Sequence, residues 1–187
     1  MIDLSGVNGW CNYGHYYKEI VDWIPNKGRI MEIGVFHGRS TCLMADLIRD
    51  SKKKVEFHCC DIFTTGFGYT GIDGSKEGDD YLNIFEGHLK RYELEKYVTI
   101  HKGKSWDVLG SFKDRYFDFI FIDADHNYEV VKEDIRLSLN KLKRGGRLAG
   151  HDVHLLDIPN ALRDLGLKHT SAEVWEVIFS PHIPKLL

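Results

Sequence analysis

Two carboxylates and a histidine follow directly after the most strand-like run of the sequence, Phe117 to Ile122. They are Asp123, Asp125 and His126. An imidazole has an unperturbed pKa of about 6.5, which suits removal of a proton from a substrate hydroxyl near neutral pH. His126 and Asp123 are therefore candidate catalytic residues. In the alternative interpretation, Asp125 only caps the next helix and His126 lies in its first turn.

A further aspartate, Asp152, ends the next predicted strand. Neighbouring strands lie about 4.8 Å apart, so Asp123 and Asp152 can converge on one cation if the two strands are adjacent. A site made of carboxylate oxygens favours Mg²⁺, Ca²⁺ or Mn²⁺. The pair is therefore a candidate site for Mg²⁺ or another divalent cation.

A glycine-containing turn follows the first predicted strand, with the pattern Glu32-x-Gly34-x-x-x-Gly38-x-Ser40. Glycine permits positive φ and lets a ligand come close to the backbone. The pattern differs from the GxGxxG dinucleotide fingerprint, because Phe36 replaces the middle glycine. A carboxylate here fits a positively charged group, such as an amino-acid ammonium, better than a pyrophosphate. A purely structural turn is the alternative.

Asp61 ends the second predicted strand. In dinucleotide sites a carboxylate at this position accepts hydrogen bonds from ribose hydroxyls. The alternative is that Asp61 caps the loop that follows it. Glu32 and Asp61 together indicate a ligand with a ribose, an amino-acid end and no pyrophosphate. S-adenosyl-L-methionine is such a ligand.

Strands and helices alternate along the chain, which predicts an α/β fold with a doubly wound parallel sheet and helices on both faces. The five predicted strands are Arg29–Gly34, Val55–Asp61, Tyr97–His101, Phe117–Asp123 and Arg147–Asp152. An antiparallel pair, Leu167–Thr170 and Glu173–Phe179, is predicted to close the sheet. In such folds ligands bind at the carboxyl ends of the strands, which is where the polar residues collect here.

A long segment rich in glycine and threonine, Ile62 to Glu77, follows Asp61. A loop of this length inside a compact domain is usually functional. We therefore expect residues 62–77, with Phe67 and Tyr69, to close over the substrate as an active-site loop.

Length and composition predict a single domain over residues 1–187, with an N-terminal segment and helix at residues 1–24. The net charge of −3 is spread along the chain, so a nucleic-acid partner is not expected. No apolar run is long enough to span a membrane, and no signal peptide is recognised. Four cysteines without a C-x-x-C pair fit a reduced, cytoplasmic setting.

These motifs resemble those of the class I S-adenosylmethionine-dependent methyltransferases. Met31 to Ser40 is similar to the first motif of the caffeoyl-CoA and catechol O-methyltransferases, and Phe119 to Tyr128 resembles the fourth-strand motif of that group. The closest match is a bacterial branch, also similar to sugar O-methyltransferases, in which Gly-Gly and then Gly-His-Asp follow. Here these are Gly145-Gly146 and Gly150 to Asp152. The likeness extends over residues 8–180.

The resemblance implies a seven-stranded sheet whose sixth and seventh strands are the closing pair. It assigns the following residues to the methyl donor: Glu32, Gly34, Ser40, Asp61, Ser105 and Asp125. It makes Asp123 and Asp152 metal ligands and His126 the base. The caffeoyl-CoA group has an asparagine as third metal ligand directly after the second aspartate, where this chain has Val153.

We therefore predict an S-adenosylmethionine-dependent O-methyltransferase that acts on a hydroxyl of a small molecule or sugar, with or without a divalent cation. The donor site comprises Gly38 in addition to the residues that the resemblance assigns. Two alternatives stay open. One is a module that binds S-adenosylmethionine without transferring methyl, and the other is a nicotinamide-dependent oxidoreductase, which Phe36 and Glu32 disfavour. A homodimer is also left open.

Overall fold

A six-stranded sheet in the order β3-β2-β1-β4-β5-β6 forms the centre of the fold. The computed structural model describes residues 2–64, 80–155, 157–170 and 172–177. The strands are β1 Arg29–Ile33, β2 Glu56–Asp61, β3 Thr99–Lys102, β4 Phe117–Ile122, β5 Leu142–Gly150 and β6 Trp175–Glu176. The first five run parallel to their neighbours, and β6 is antiparallel to β5. The predicted doubly wound α/β fold is confirmed.

Helices cover both faces of the sheet. They are α1 Gly14–Trp23, α2 Arg39–Ser51, α3 Leu82–Arg91, α4 Ser105–Ser111, α5 Tyr128–Lys141 and α6 Asp157–Asp164, with a short 3₁₀ helix at Glu95–Tyr97. Buried side chains of α1, α2 and α3 form one apolar core, and those of α4, α5 and α6 form the other. Strand β4 serves both cores, because Phe119 and Phe121 face the first and Ile120 and Ile122 face the second.

The prediction of seven strands is wrong for the residues described, which form six. Within residues 157–170 and 172–177, the predicted closing pair contains the strand Trp175–Glu176 and an antiparallel bridge between His169 and Val177. The amide of Thr170 donates to the carbonyl of Glu176, but the amide of Glu176 donates to Thr170 Oγ1. The carbonyl of Thr170 lies 2.7 Å from His169 Nδ1 instead. The hydrogen bond to the Thr170 side chain replaces a backbone hydrogen bond of the ladder, which limits the pairing at this end of the bridge.

Strand β5 begins earlier than predicted. Helix α5 ends at Lys141, and Lys143 to Gly146 already belong to β5. Leu142 pairs with Phe117 and Arg147 pairs with Phe119, so a bulge of several residues lies opposite Asp118. Asp118 accepts a 2.7 Å hydrogen bond from Lys143 Nζ, which stabilises the bulge.

Two further expectations concern the predicted active-site loop and membrane-spanning segments. Most of the predicted loop at residues 62–77, including Phe67 and Tyr69, lies outside the described residues. None of the helices within the described ranges combines the length and the apolar character that crossing a bilayer requires.

The residues that follow β1 and β4 approach each other so closely that one of them has no room for a side chain. Gly34 has φ +92°, and a Cβ atom there would lie 2.0 Å from the carbonyl oxygen of Asp123. The amide of Gly34 donates to the carbonyl of Cys60 and the amide of Asp123 donates to that of Ile33, so neither backbone is free to move aside. The close approach brings the residues after β1 and after β4 together.

Gly34→Ala is expected to lower the free energy of unfolding by at least about 2 kcal/mol, because it adds a steric clash to an unfavourable backbone conformation. Gly87→Ala is the matched control, since Gly87 lies in α3 and a Cβ there meets nothing within 4 Å. Alanine in a helix interior should raise stability there by about 0.5–1 kcal/mol. Urea unfolding of both variants measures the difference, and equal stabilities would contradict the prediction.

Candidate active site

A cleft of about 930 Å³ opens at the carboxyl ends of the parallel strands. Each strand end contributes polar residues to its lining: Gly34 and Ser40 after β1, Asp61 at β2, Lys104 and Ser105 after β3, Asp123, Asp125 and His126 after β4, and His151 and Asp152 after β5. The expected collection of polar side chains at this edge is therefore a single concave site. The sheet order places the β3 and β5 residues at its two ends.

Glu32 lies beneath the glycine turn and does not line the cleft. Glu32 is buried, with only 1% of its surface exposed. One carboxylate oxygen accepts hydrogen bonds from the hydroxyls of Tyr17 and Ser40 at 2.9 and 2.7 Å, and the other accepts from Thr41 at 2.5 Å. The side chain therefore holds the turn to α1 and α2 from below. Its predicted contact with a ligand ammonium stays a prediction.

Asp61 lines the cleft and also fixes the turn. Its Oδ2 accepts hydrogen bonds from the amides of Val35 and Phe36 at 2.7 and 2.9 Å, and its Oδ1 accepts from the amide of Phe63 at 2.7 Å. Oδ2 thus already accepts two hydrogen bonds, whereas Oδ1 accepts one and keeps a second lone pair for a ribose hydroxyl. Both interpretations of Asp61, as loop cap and as ligand contact, are compatible with this geometry.

Gly38 and Ser40 have different roles in the turn. Gly38 has φ +85° and no space for a side chain, because a Cβ would lie 2.1 Å from the ring of Phe85. It does not line the cleft, whereas Ser40 does. The Ser40 hydroxyl donates a hydrogen bond to Glu32, which leaves the Ser40 oxygen as an acceptor towards the cleft.

Asp123 is held by a tyrosine that the sequence reading did not select. Tyr13 is fully buried, and its hydroxyl donates to Asp123 Oδ2 at 2.8 Å. Burial raises the pKa of Asp123, although this hydrogen bond opposes the rise. The signal in the sequence was the pair Tyr13 and Tyr17, one helical turn apart on an apolar face, because a buried tyrosine hydroxyl usually has a polar partner.

Asp152 joins two histidines. Its Oδ2 lies 2.8 Å from His126 Nε2, and its Oδ1 lies 3.1 Å from His151 Nδ1. Burial alone would raise the pKa of Asp152, but the hydrogen bonds from both rings hold that pKa well below its usual range. The hydrogen bond to Asp152 in turn raises the pKa of His126 against the effect of burial. His126 is thus oriented by an ionised carboxylate.

The geometry of three residues fits a divalent cation. Asp123, His126 and Asp152 each offer one ligand atom, and these atoms lie within 4.8 Å of one another. The predicted pair of aspartates therefore converges, and His126 adds a nitrogen that the sequence reading had assigned to a base. Val153 offers no ligand atom where the caffeoyl-CoA group has an asparagine. The third possible ligand here is His126.

Asp125 and Ser105 complete the predicted set. Asp125 lines the cleft while its Oδ1 accepts a 2.7 Å hydrogen bond from the amide of Asn127, the residue that caps α5. Ser105 lines the cleft, and its hydroxyl donates to Asp134 Oδ1. Asp134 was missed, although it falls on the same helical stripe as Val131 and is buried with it.

The family model described as "Methyltransferase domain" matches residues 31–153. The chain belongs to this family. A search of curated proteins finds no match. The predicted class of enzyme, an S-adenosylmethionine-dependent methyltransferase, is confirmed at the level of the family.

Solved structures share the fold of this methyltransferase at low sequence identity. The O-methyltransferase NovP is 15% identical with a TM-score of 0.69, covering 88% of this chain and 78% of its own. An O-methyltransferase from Bacillus cereus, in complex with SAH (S-adenosylhomocysteine), is 17% identical with a TM-score of 0.64, covering 94% and 84%. A precorrin 8W decarboxylase from Methanobacterium thermoautotrophicum is 18% identical with a TM-score of 0.58, covering 95% of both chains. These likenesses concern the fold.

Glu32→Gln should change how the stability of this methyltransferase depends on pH. Burial raises the pKa of Glu32 from 4.5 to about 7, and the three hydroxyl hydrogen bonds only partly oppose it. The folded state therefore binds this proton more tightly than the unfolded state. The resulting stabilisation is complete below pH 4.5 and is lost as the pH rises through about 7.

The wild type should lose stability relative to Glu32→Gln across this window, by up to about 1.4 kcal/mol per pH unit. Urea unfolding at several pH values between about 5 and 8 measures both proteins. Parallel pH profiles would show that the Glu32 carboxyl does not titrate in this range.

Proposed function

We propose that this methyltransferase transfers the methyl group of S-adenosylmethionine to a hydroxyl oxygen of a small molecule or sugar. The observation that carries the proposal is the position of the Asp123, His126 and Asp152 cluster in the same cleft as the Gly34 turn. The cleft volume of about 930 Å³ lies within the range of small-molecule sites, about 300–1,000 Å³.

The donor half of the cleft fits the methionine and ribose parts of S-adenosylmethionine. Gly34 has no side chain, so a ligand can approach its backbone closely. Asp61 Oδ1 retains a lone pair for a ribose hydroxyl. A pyrophosphate is disfavoured, because the amides of Val35 and Phe36 already donate to the Asp61 carboxylate and would meet its charge. The Bacillus cereus neighbour with bound SAH supports the same ligand class.

His126 is suited to accept the acceptor's proton. Asp152 lies against Nε2 and favours the tautomer with its proton there, which leaves the lone pair on Nδ1. The acceptor oxygen bonds to the methyl carbon of the sulfonium donor as sulfur keeps the electron pair of the broken bond, and the hydroxyl proton passes to Nδ1. Asp152 stabilises the imidazolium that results. Positioning of the two reactants in one cleft supplies much of the rate.

A divalent cation would be held by Asp123 and Asp152, with His126 in reach as a third ligand. Such a cation lowers the pKa of a bound hydroxyl and orients it. His126 as base and His126 as ligand are two uses of one side chain, and separate measurements distinguish them.

Calorimetry with S-adenosylhomocysteine and with NAD⁺ tests the donor. We expect binding of S-adenosylhomocysteine and none of NAD⁺, because the turn lacks a free pyrophosphate site. Asp61→Ala should weaken binding of S-adenosylhomocysteine by about tenfold or more, the effect of losing a hydrogen bond to a charged group. Wild-type protein that does not bind S-adenosylhomocysteine would overturn the proposal.

His126→Ala should lower kcat by about 100-fold or more, the usual contribution of a general base, and leave the affinity for S-adenosylhomocysteine unchanged. The control is His154→Ala, because the His154 side chain is 73% exposed and 3.9 Å from Asp152 Oδ1. Methyl transfer to a panel of phenols, catechols and sugars, measured as S-adenosylhomocysteine released, provides the assay.

A Mn²⁺ titration of the same variants separates the two uses of His126. Loss of Mn²⁺ binding in His126→Ala, with activity that is abolished by a chelator, assigns the histidine to the cation. Chelator-resistant activity assigns it to proton transfer. Wild-type kcat in His126→Ala would contradict both.

A further inference from the structure

Tyr13 contacts one aspartate of the site from beneath the cleft. The residue is fully buried and does not line the cleft, whereas Asp123 does. The Tyr13 hydroxyl donates to Asp123 Oδ2 at 2.8 Å. A buried hydroxyl needs such a partner, and the bond also restricts rotation of the carboxyl group that receives it. Tyr13 therefore fixes the direction in which Asp123 presents its oxygens.

The ring of Tyr13 contacts the other half of the site. The centroids of the Tyr13 and His151 rings lie 4.9 Å apart. Nδ1 of His151 is in turn 3.1 Å from Asp152 Oδ1. On other sides the Tyr13 ring packs against Phe121 and Tyr17, at centroid distances of 5.1 and 5.2 Å, so its position is well defined. One side chain thus supports both aspartates, the first through its hydroxyl and the second through the ring of His151.

A cation site needs this support because the backbone alone does not orient carboxylates. The amide of Asp123 donates to the carbonyl of Ile33 at 2.7 Å, which fixes the backbone but leaves the side-chain torsions free. The ligand atoms of Asp123, His126 and Asp152 lie within 4.8 Å of one another, a spacing that a turn of either carboxylate would change. Loss of a group that hydrogen-bonds a ligating side chain from outside typically costs about 10- to 100-fold in metal affinity.

We propose that Tyr13 is a positioning residue that sets the affinity of this methyltransferase for a divalent cation. Its hydroxyl directs Asp123, and its ring keeps His151 against Asp152. Tyr13 touches neither the cation nor the reactants, so it acts only through these neighbours. The inference rests on the cation-assisted form of the proposed function and is independent of the donor site.

Calorimetry with Mn²⁺ and, separately, with S-adenosylhomocysteine tests the inference on Tyr13→Phe. Phenylalanine keeps the ring beside His151 and removes only the hydroxyl. The affinity for Mn²⁺ should fall by about tenfold or more, whereas the affinity for S-adenosylhomocysteine should not change. Tyr13→Leu also removes the ring contact with His151, so its affinity for Mn²⁺ should be lower still.

Tyr16→Phe is the matched control. The buried Tyr16 belongs to α1, and its hydroxyl donates at 2.9 Å to Oε2 of Glu176, a residue of β6 that does not line the cleft. The variant loses the same kind of hydrogen bond away from the site. Its affinity for Mn²⁺ should equal that of the wild type.

Three results would overturn the inference. The first is an unchanged affinity of Tyr13→Phe for Mn²⁺. The second is a loss that Tyr16→Phe shares, or that extends equally to S-adenosylhomocysteine, because either would reflect general destabilisation. The third is a wild-type protein that does not bind Mn²⁺, and binding of S-adenosylhomocysteine by that same protein would leave the donor proposal standing.

Discussion

The structure depends on the burial of a carboxyl group, that of Glu32, beneath the glycine turn. Glu32 has almost no contact with water, and hydroxyls from α1 and α2 surround its two oxygens. Burial of a carboxyl group is tolerated when hydrogen bonds replace its hydration. The turn, the start of α2 and the side of α1 are therefore tied to one point. Asp123, one strand away, is held in the same manner by Tyr13, the residue directly before α1.

The acidic residues in and around the cleft have different hydrogen-bond partners. Glu32 and Asp61 use their oxygens mainly to fix the turn from below and from the side. Asp123 and Asp152 face the cleft with the histidines, and the two rings beside Asp152 offset the charge of that carboxylate. Asp134 faces the opposite end, with one oxygen committed to Ser105. Acidic groups of similar appearance in the sequence thus differ in what remains free to bind a ligand.

The sequence was sufficient to predict the alternation of elements and the edge at which the site lies, because both follow from hydrophobic periodicity and chain direction. It did not show which way Glu32 points. In β1 the side chains alternate, and Glu32 shares the face of Ile30, which packs towards α1 and α2. Among the described residues the predicted seventh strand is not formed, and periodicity cannot reveal that the carbonyl of Thr170 lies against a histidine ring. Asp134 was overlooked because its burial depends on a partner in another helix.

Tyr13 and Tyr17, at the start of α1, have a consequence for how the fold can be divided. The segment common to the family spans residues 31–153, and Tyr13 and Tyr17 precede it. The matched segment thus contains the two acids but not the two tyrosine hydroxyls that donate hydrogen bonds to them. A chain shortened to this segment would expose α2 and leave two acids without those donors. The acids of the matched segment therefore keep these hydrogen bonds only when the residues at the start of α1 are present.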